Sequence, residues 1–339
     1  MIEIKSPCKV IITGEHAVVH GAPALAITIE LFNTVRITET NGPLGFEVRQ
    51  KNNLITLDEN GDPTSGEIEW PIFCELLKKI LENGIKPTKR LIITIESNVP
   101  KGVGASSSVA AALTLAMYKY ANKPISKQLL FDYVQFVDKT AHGGNPSGID
   151  AMSVISGPTK LIRTVEKNKP KWNFYPQTVE LPKDCSLVII DTSRGGPRSG
   201  TGEMVSKFAT SMGLMVDGRI KQLTELTKKD KEKLIPFEEV YEEIVSELNA
   251  NGDAVKLGKA MDANQDLLAK HYMSSPEIEE ARKLAKKNGA LGAKLTGAGG
   301  KGGAVIALIK NQDSTAVLNS LTKAGFNCFN AKQTRGLMQ

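Results

Sequence analysis

Apolar positions along the chain alternate or cluster in short β-branched runs at Lys9 to Thr13, Thr34 to Thr38 and Leu91 to Glu96. Each run is bounded by polar or Gly/Pro punctuation, which predicts three strands. From Ser107 the run SVAAALTLAMYKYA holds no Gly or Pro and predicts a helix with a buried face, starting directly behind a glycine-containing loop. A second helix is expected over Ser126 to Thr140. The loop HGGNPSGID follows, and then a small-residue stretch ending near Gly157. Glu166 to Pro182, with three prolines and several charges, reads as a connector. Beyond it SLVIIDTS is a buried-strand pattern, and helices are predicted over Gly202 to Lys229, Phe237 to Asn249, Ala254 to His271 and Pro276 to Asn288. Strand patterns at Ala293 to Thr296 and Ala304 to Ile309 flank a glycine cluster, and a helix and a strand near Gly325 to Ala331 close the chain. The pattern is that of an α+β protein without internal repeats, divided into residues 1–175 and 176–339.

Composition narrows the function classes. With 339 residues, 41% hydrophobic and 24% charged, the chain can bury an ordinary core, and its length suits two subdomains. Four cysteines lie far apart with no CxxC pair, which indicates neither a disulfide framework nor a zinc knuckle and suits a reducing cytoplasm. The apolar N-terminal stretch is broken by Thr13, Glu15 and His16 and is too short for a membrane span, so no membrane partner is expected. The net charge of +6 is spread over runs such as Lys228, Lys229, Lys231 and Lys233 that acids interrupt; with 5% aromatics, this gives little support to nucleic-acid binding.

Four segments carry candidate chemistry. In VPKGVGASSSVAAA, Gly102 and Gly104 permit close backbone approach, and amides converging at a helix start make an anion site; a glycine turn with serine caps is the plainer alternative. The segment does not fit GxxxxGK[ST]. In LTGAGGKGGAVIALI, Gly297, Gly299 and Gly302 match G-x-G-x-x-G, but a β-rich run follows where a dinucleotide site needs a helix; a tight hairpin is the alternative. DKTAHGGNPSGID places Asp138 near a helix end and Asp150 after a rigid turn, where an acid can orient a hydroxyl; a solvated Asp138 and an N-capping Asp150 are the alternatives. In CKVIITGEHAVVHGAPALA, Lys9, Glu15 and His16 flank a strand end of the kind that faces a cleft, although singly Lys9 reads as a surface lysine and His16 as a structural histidine. No HExxH or paired ligand spacing indicates zinc.

In this order the four segments resemble the GHMP small-molecule kinases, whose members carry an N-terminal substrate motif, a Pro-x-x-x-Gly-Leu-Gly-Ser-Ser-Ala phosphate loop and a C-terminal glycine loop. KVIITGEHAVVHGAPALA, HGGNPSGID, DTS followed by TGEMV, and MDANQDLLAKHYMSSPEIEEA resemble the branch that acts on mevalonate. The resemblance implies an N-terminal α+β domain and a C-terminal ferredoxin-like domain with the active-site cleft between them, ATP and Mg as cofactors, and phosphorylation of mevalonate to 5-phosphomevalonate in isoprenoid biosynthesis. It makes Asp150 the catalytic acid that accepts or orients the hydroxyl proton and has Lys9 stabilise the reacting oxygens, with Glu15, His16 and Thr201 on the substrate side. Lys101, Gly102, Val103, Gly104, Ala105, Ser106, Ser107 and Ser108 would wrap the ATP phosphates together with Gly297, Ala298, Gly299 and Gly300. Ser108 and Asp138 would stand near magnesium. Dimers are common in the family, so a homodimer is consistent with the resemblance. Another alcohol, such as phosphomevalonate or a sugar, and a non-catalytic nucleotide sensor are the competing readings.

Three departures from the family pattern stand out. Ser106 replaces a glycine, and if that position needs positive φ the serine would be strained by something on the order of 1 kcal/mol. Asp138 replaces a glutamate, with one extra glycine (Gly143 or Gly144) before NPSG. Lys301 replaces a glycine in the C-terminal loop, where it either meets phosphate or points to solvent, and Gly303 takes a position often held by cysteine.

Overall fold

The computed structural model describes residues 1–141 and 146–338. The first sheet is built from β1 (Ile2–Thr13), β2 (Ala24–Thr40), β3 (Phe46–Gln50), β4 (Asn53–Leu57), β5 (Pro63–Glu67), β6 (Arg90–Ser97), β7 (Thr159–Glu166) and β8 (Lys169–Pro176). Its order is β5-β4-β3-β6-β2-β7-β8, with β1 also pairing antiparallel to β2. In β6 Leu91, Ile93 and Ile95 alternate with more exposed residues, so one face goes to the core. That face is covered by α1 (Ile72–Glu82), α2 (Ala105–Tyr120), α3 (Lys127–Ala141) and α4 (Ile149–Ser156), which share one apolar cluster with it. Helix α2 is buried over Ser107 to Thr114 because it lies between β1 and α3, which explains its alanine-rich, unpolarised sequence.

The second unit starts with β9 (Cys185–Asp191). It continues through α5 (Thr201–Ser211), the two-residue strands β10 (Met215–Val216) and β11 (Arg219–Ile220), α6 (Lys228–Glu232), α7 (Ile235–Glu247), α8 (Ala254–Lys270) and α9 (Pro276–Lys287). It ends with β12 (Gly292–Thr296), β13 (Ala304–Lys310), α10 (Ser314–Lys323) and β14 (Asn327–Ala331). Its antiparallel sheet runs β12-β13-β9-β14, the ferredoxin-like order. Cys8, Val10 and Ile12 of β1 pack into one cluster with Leu187 and Ile189 of β9 and Leu257 and Met261 of α8, so the two units share a core. Their seam holds the cleft described below.

Three sequence expectations change. The connector over Glu166 to Pro182 is largely β8, an edge strand paired with β7 from Thr159↔Pro176 to Glu166↔Lys169; an edge tolerates its prolines because one side of the strand needs no donors. The helix expected over Gly202 to Lys229 stops at Ser211. Gly213, Asp217 and Gly218 all have positive φ there and turn the chain into the β10–β11 hairpin. The division at 176–339 does not hold the tail: Gln333 bridges to Ile29, and the amides of Leu337 and Met338 donate to Val154 O and Ile155 O at 2.9 Å, on the first unit.

Candidate active site

A cleft of about 1070 Å³ opens between the units, lined by the end of β1, both glycine loops and the starts of α4 and α5. Lys9 is anchored through its amide, which donates to Val103 O at 2.9 Å, and its Nζ lies 2.9 Å from Asp150 Oδ1. The two side chains are 3% and 15% exposed, so the pair is largely shielded from water. Asp150 is the second residue of α4; Gly148, in the left-handed region at φ 84°, takes the cap position that sequence alone allowed for Asp150.

The phosphate loop brings its backbone to the same place. Gly104, at φ 72° and ψ 33°, starts α2, and a Cβ there would stand 3.0 Å from Lys9 Cε. Lys101, Gly102, Gly104, Ala105 and Ser106 line the cleft, whereas Val103 is buried in the shared core. Ser106 falls in the first turn of α2 and has no positive φ, so the strain expected of it does not arise.

The three serines point three ways. Ser106 faces the cleft, and Ser107 donates to Asp138 Oδ1 at 2.8 Å. Ser108 corrects the sequence expectation: its buried hydroxyl donates to Ser6 O at 2.9 Å and is turned away from any metal in the cleft. Successive helical residues differ by about 100° in direction, so the choice among adjacent serines is one of helix phase. Asp138 is not a solvated helix residue: it is fully buried and borders the cleft, with Oδ2 unpartnered among the described residues. Burial, then the charge of Asp150, pushes its carboxyl up to about 7 against the Ser107 hydrogen bond and the charge of Lys9. His142, Gly143, Gly144 and Asn145, and with them the inserted glycine, lie outside the described residues.

The turn after β1 supplies Glu15 and His16. Glu15 is ion-paired with Lys294 of β12, a fully buried lysine. His16 sits at φ 58°, stacks on Phe208 with ring centroids 5.6 Å apart, and has Nε2 2.9 Å from Ala298 O. A carbonyl only accepts, so Nε2 carries the proton; burial pulls the imidazole down to about 4 and leaves it neutral. Thr201 opens α5 at the cleft wall.

In the C-terminal loop Gly297, Ala298 and Gly299 line the cleft. Gly300, expected at the phosphates, spends its amide on Met273 O at 2.8 Å and belongs to the fold. Lys301 is exposed, and of the two readings left open for it the solvent-facing one agrees with its burial.

Sequence reasoning missed three cations. Arg198 borders the cleft beside Gly102, paired with Asp191 and with Nε unpartnered among the described residues. Half-buried Arg163 donates to Val19 O at 2.8 Å and lies 5.1 Å over the Trp172 ring, without an acidic partner among the described residues. Lys294 had one visible signal, a lysine inside the otherwise buried strand GAKLT.

Comparison with known proteins places the chain as a whole. The GHMP kinases N terminal domain model matches residues 72–158, and the GHMP kinases C terminal model matches residues 242–327. The mevalonate kinase of Methanocaldococcus jannaschii is 28% identical over 337 residues, covering 97% of this chain and 98% of that protein. The mevalonate kinase of Pyrococcus abyssi is 28% identical over 348 residues, covering 96% and 97%. A crystal structure of mevalonate kinase superposes with a TM-score of 0.77 at 25% identity, covering 99% of this chain and 100% of that one. The two domain models match in order and together span just over half of the residues, and the chain belongs to the GHMP kinases.

Proposed function

We propose that this chain is a mevalonate kinase, transferring the terminal phosphoryl group of ATP to the primary hydroxyl of mevalonate to give 5-phosphomevalonate and ADP. The observation that carries the reading is the shielded Lys9–Asp150 pair, 2.9 Å apart, set against a glycine loop at a helix start. Phosphoryl transfer asks a protein mainly for alignment and for neutralisation of equatorial oxygen charge. Asp150 orients the hydroxyl and receives its proton as the new O–P bond forms and the bond to ADP breaks. Lys9, the loop amides around Gly102 to Ser106 and the Arg198 guanidinium offset the phosphate charge.

Magnesium fits beside Asp138. The carboxyl is buried with one unpartnered oxygen, and magnesium characteristically takes one or two carboxylates and keeps phosphate and water oxygens for the rest. Among the described residues no group of three or more His, Cys, Asp or Glu forms a protein cage for a metal, which suits that arrangement. When bound, the ion neutralises charge on the transferring phosphate.

On the substrate side the guanidinium of Arg163, held by Val19 O and Gln222 Oε1 and without an acidic partner among the described residues, is a receptor for a carboxylate. Ile11, Ala24 and Trp172 offer an apolar wall to the methyl-bearing carbon, and Glu15, His16 and Thr201 border the same space. Four free cysteines, three of them buried, support a cytoplasmic setting, and among the described residues no helix is long and apolar enough to cross a membrane.

A coupled ADP-release assay with magnesium and ATP against mevalonate, phosphomevalonate, galactose and homoserine tests the assignment. Mevalonate should be preferred over galactose, which has no carboxylate, by at least about 100-fold in kcat/KM, the scale set by losing a charged recognition contact, and over phosphomevalonate and homoserine as well. Preference for any other alcohol in the panel sinks it.

A further inference from the structure

Helix α4 carries Asp150 in its first turn and is only eight residues long, so its ends and its packing hold it more than its own hydrogen bonds do. Ala151, Val154 and Ile155 pack it into the apolar cluster of the first unit. Its N-terminal cap position is Gly148, with no side-chain cap. The last carbonyls of a helix have no partner within it. In α4 three of them are taken: Gly157 N donates to Ser153 O at 2.8 Å, Leu337 N to Val154 O at 2.9 Å and Met338 N to Ile155 O at 2.9 Å. Two of these donors come from the segment that follows β14 of the second unit.

That segment is tied along its length. Glu30 N donates to Lys332 O at 2.8 Å, Thr334 N to Thr28 O at 3.0 Å and the Thr28 hydroxyl to Thr334 O, so it runs against β2. The Gln333 side chain donates to Val179 O at 2.6 Å and accepts from Leu181 N at 2.9 Å. Leu337 and Met338 rest on the same apolar cluster as α4. Gly336 lets the two backbones meet: a Cβ there would stand 2.2 Å from Gly157 N and 2.8 Å from Ile155 O.

We propose that Lys332 to Met338 form a strap that positions the catalytic carboxylate: the amides of Leu337 and Met338 cap α4 and hold it at the depth at which Asp150 meets Lys9. The inference rests on the kinase reading above, but the strap touches neither substrate nor nucleotide and acts through α4. A helix rises about 1.5 Å per residue, so Asp150 stands only about 6 to 8 Å along the axis from the carbonyls that the strap holds. Over so short a rigid body an axial slip at the capped end arrives undiminished at Asp150, where it works against a 2.9 Å contact with Lys9. The strap leaves β14, which is paired with β9, so the unit that supplies Thr201 and the C-terminal glycine loop is tied to the helix that carries Asp150.

Three single variants separate the amides from the side chains. Leu337→Pro removes one donor, Gly336→Ala lifts the strap off α4, and Leu337→Ala keeps the amide while removing most of the side chain. Crystal structures without ligand should show Lys9 Nζ and Asp150 Oδ1 more than about 4 Å apart in the first two, beyond ion-pair reach, and still paired in Leu337→Ala. In steady state the first two should lose about 10- to 100-fold in kcat, the scale of a small misplacement at the reacting centre, with KM for ATP and mevalonate unchanged. Leu337→Ala should keep the wild-type kcat even where it unfolds more readily. The structures need no substrate, so they decide the proposal even if mevalonate proves to be the wrong alcohol; absent mevalonate turnover by wild type would reject only the substrate assignment. Should Leu337→Pro not fold, Gly336→Ala carries the same readings with every donor kept. An intact Lys9–Asp150 pair or wild-type kcat in Gly336→Ala or Leu337→Pro would overturn the proposal. So would an equal loss of kcat in Leu337→Ala, a loss confined to KM, or failure of both strap variants to fold.

Discussion

Asp138→Asn separates two consequences of burying a carboxylate beside the reacting centre. In the folded chain this carboxyl is pushed up to about 7 from an ordinary 3.8, chiefly by burial and then by Asp150. Between those values the folded protein holds a proton that the unfolded chain has released, so wild-type stability declines as pH rises and the decline is complete above about pH 7. At 1.36 kcal/mol per pH unit the interval amounts to about 4 kcal/mol, most of it lost between pH 4.5 and 8. Asparagine does not titrate. Its carbonyl still accepts from Ser107, while its amide occupies the place of the unpartnered Oδ2 at a pH-independent cost of about 1–3 kcal/mol. The variant should therefore be less stable than wild type at pH 4.5 and more stable at pH 8. Urea unfolding of the metal- and nucleotide-free proteins measures this, because groups that do not act on Asp138 cancel in the difference. Magnesium-ATP at pH 8 should stabilise wild type more than the variant, which has lost the anionic ligand. A stability difference constant to within about 1 kcal/mol over that pH range would refute the buried-carboxylate account.

Two further substitutions probe the walls of the cleft. Gly104→Ala places a Cβ 3.0 Å from Lys9 Cε at a left-handed backbone position; calorimetry should show a loss of about 1–2 kcal/mol and kinetics a fall in kcat of tenfold or more, whereas wild-type kcat would mean the Lys9 position is not critical. Arg163→Gln should raise KM for mevalonate about 10- to 100-fold while leaving KM for ATP unchanged, and an equal change in both would deny Arg163 its place at the carboxylate.

The strands and helices around the site were readable because their periodicity is strong, as in Leu91 to Glu96 and Pro276 to Asn288. What the periodicity did not carry were elements whose neighbours decide them. Strand β5 is exposed throughout and contains Pro63 and Gly66, and β8 hides prolines at an edge, so both lack an alternating apolar signature. Helix α1 was legible in principle, since Phe73, Cys74, Leu76, Leu77, Ile80 and Leu81 form one buried stripe. At the site, the order of motifs singled out Lys9 and Asp150, but their meeting across 141 positions is a product of the fold. The finer assignments turn on one residue of helix phase or one amide, which periodicity does not carry: Ser107 donates to Asp138 while Ser108 donates to Ser6 O, and the Gly300 amide goes to Met273 O. Arg163 and Arg198 were invisible because a cation's role depends on which partner is absent or buried, and Lys294 showed only as a lysine inside the strand GAKLT. The sensor alternative drew on Ser106 and Asp138; Ser106 sits in ordinary helical backbone, and Asp138 borders the cleft with an oxygen open to a ligand, so both grounds for it weaken.

The most direct test is phosphorus NMR of the product formed from magnesium-ATP and mevalonate by wild type and by Asp150→Asn. The account predicts a phosphomonoester on the primary hydroxyl, formed stoichiometrically with ADP by wild type, and a rate at least about 100-fold lower for the variant. No phosphomonoester from wild type, or its formation by Asp150→Asn at the wild-type rate, would contradict it.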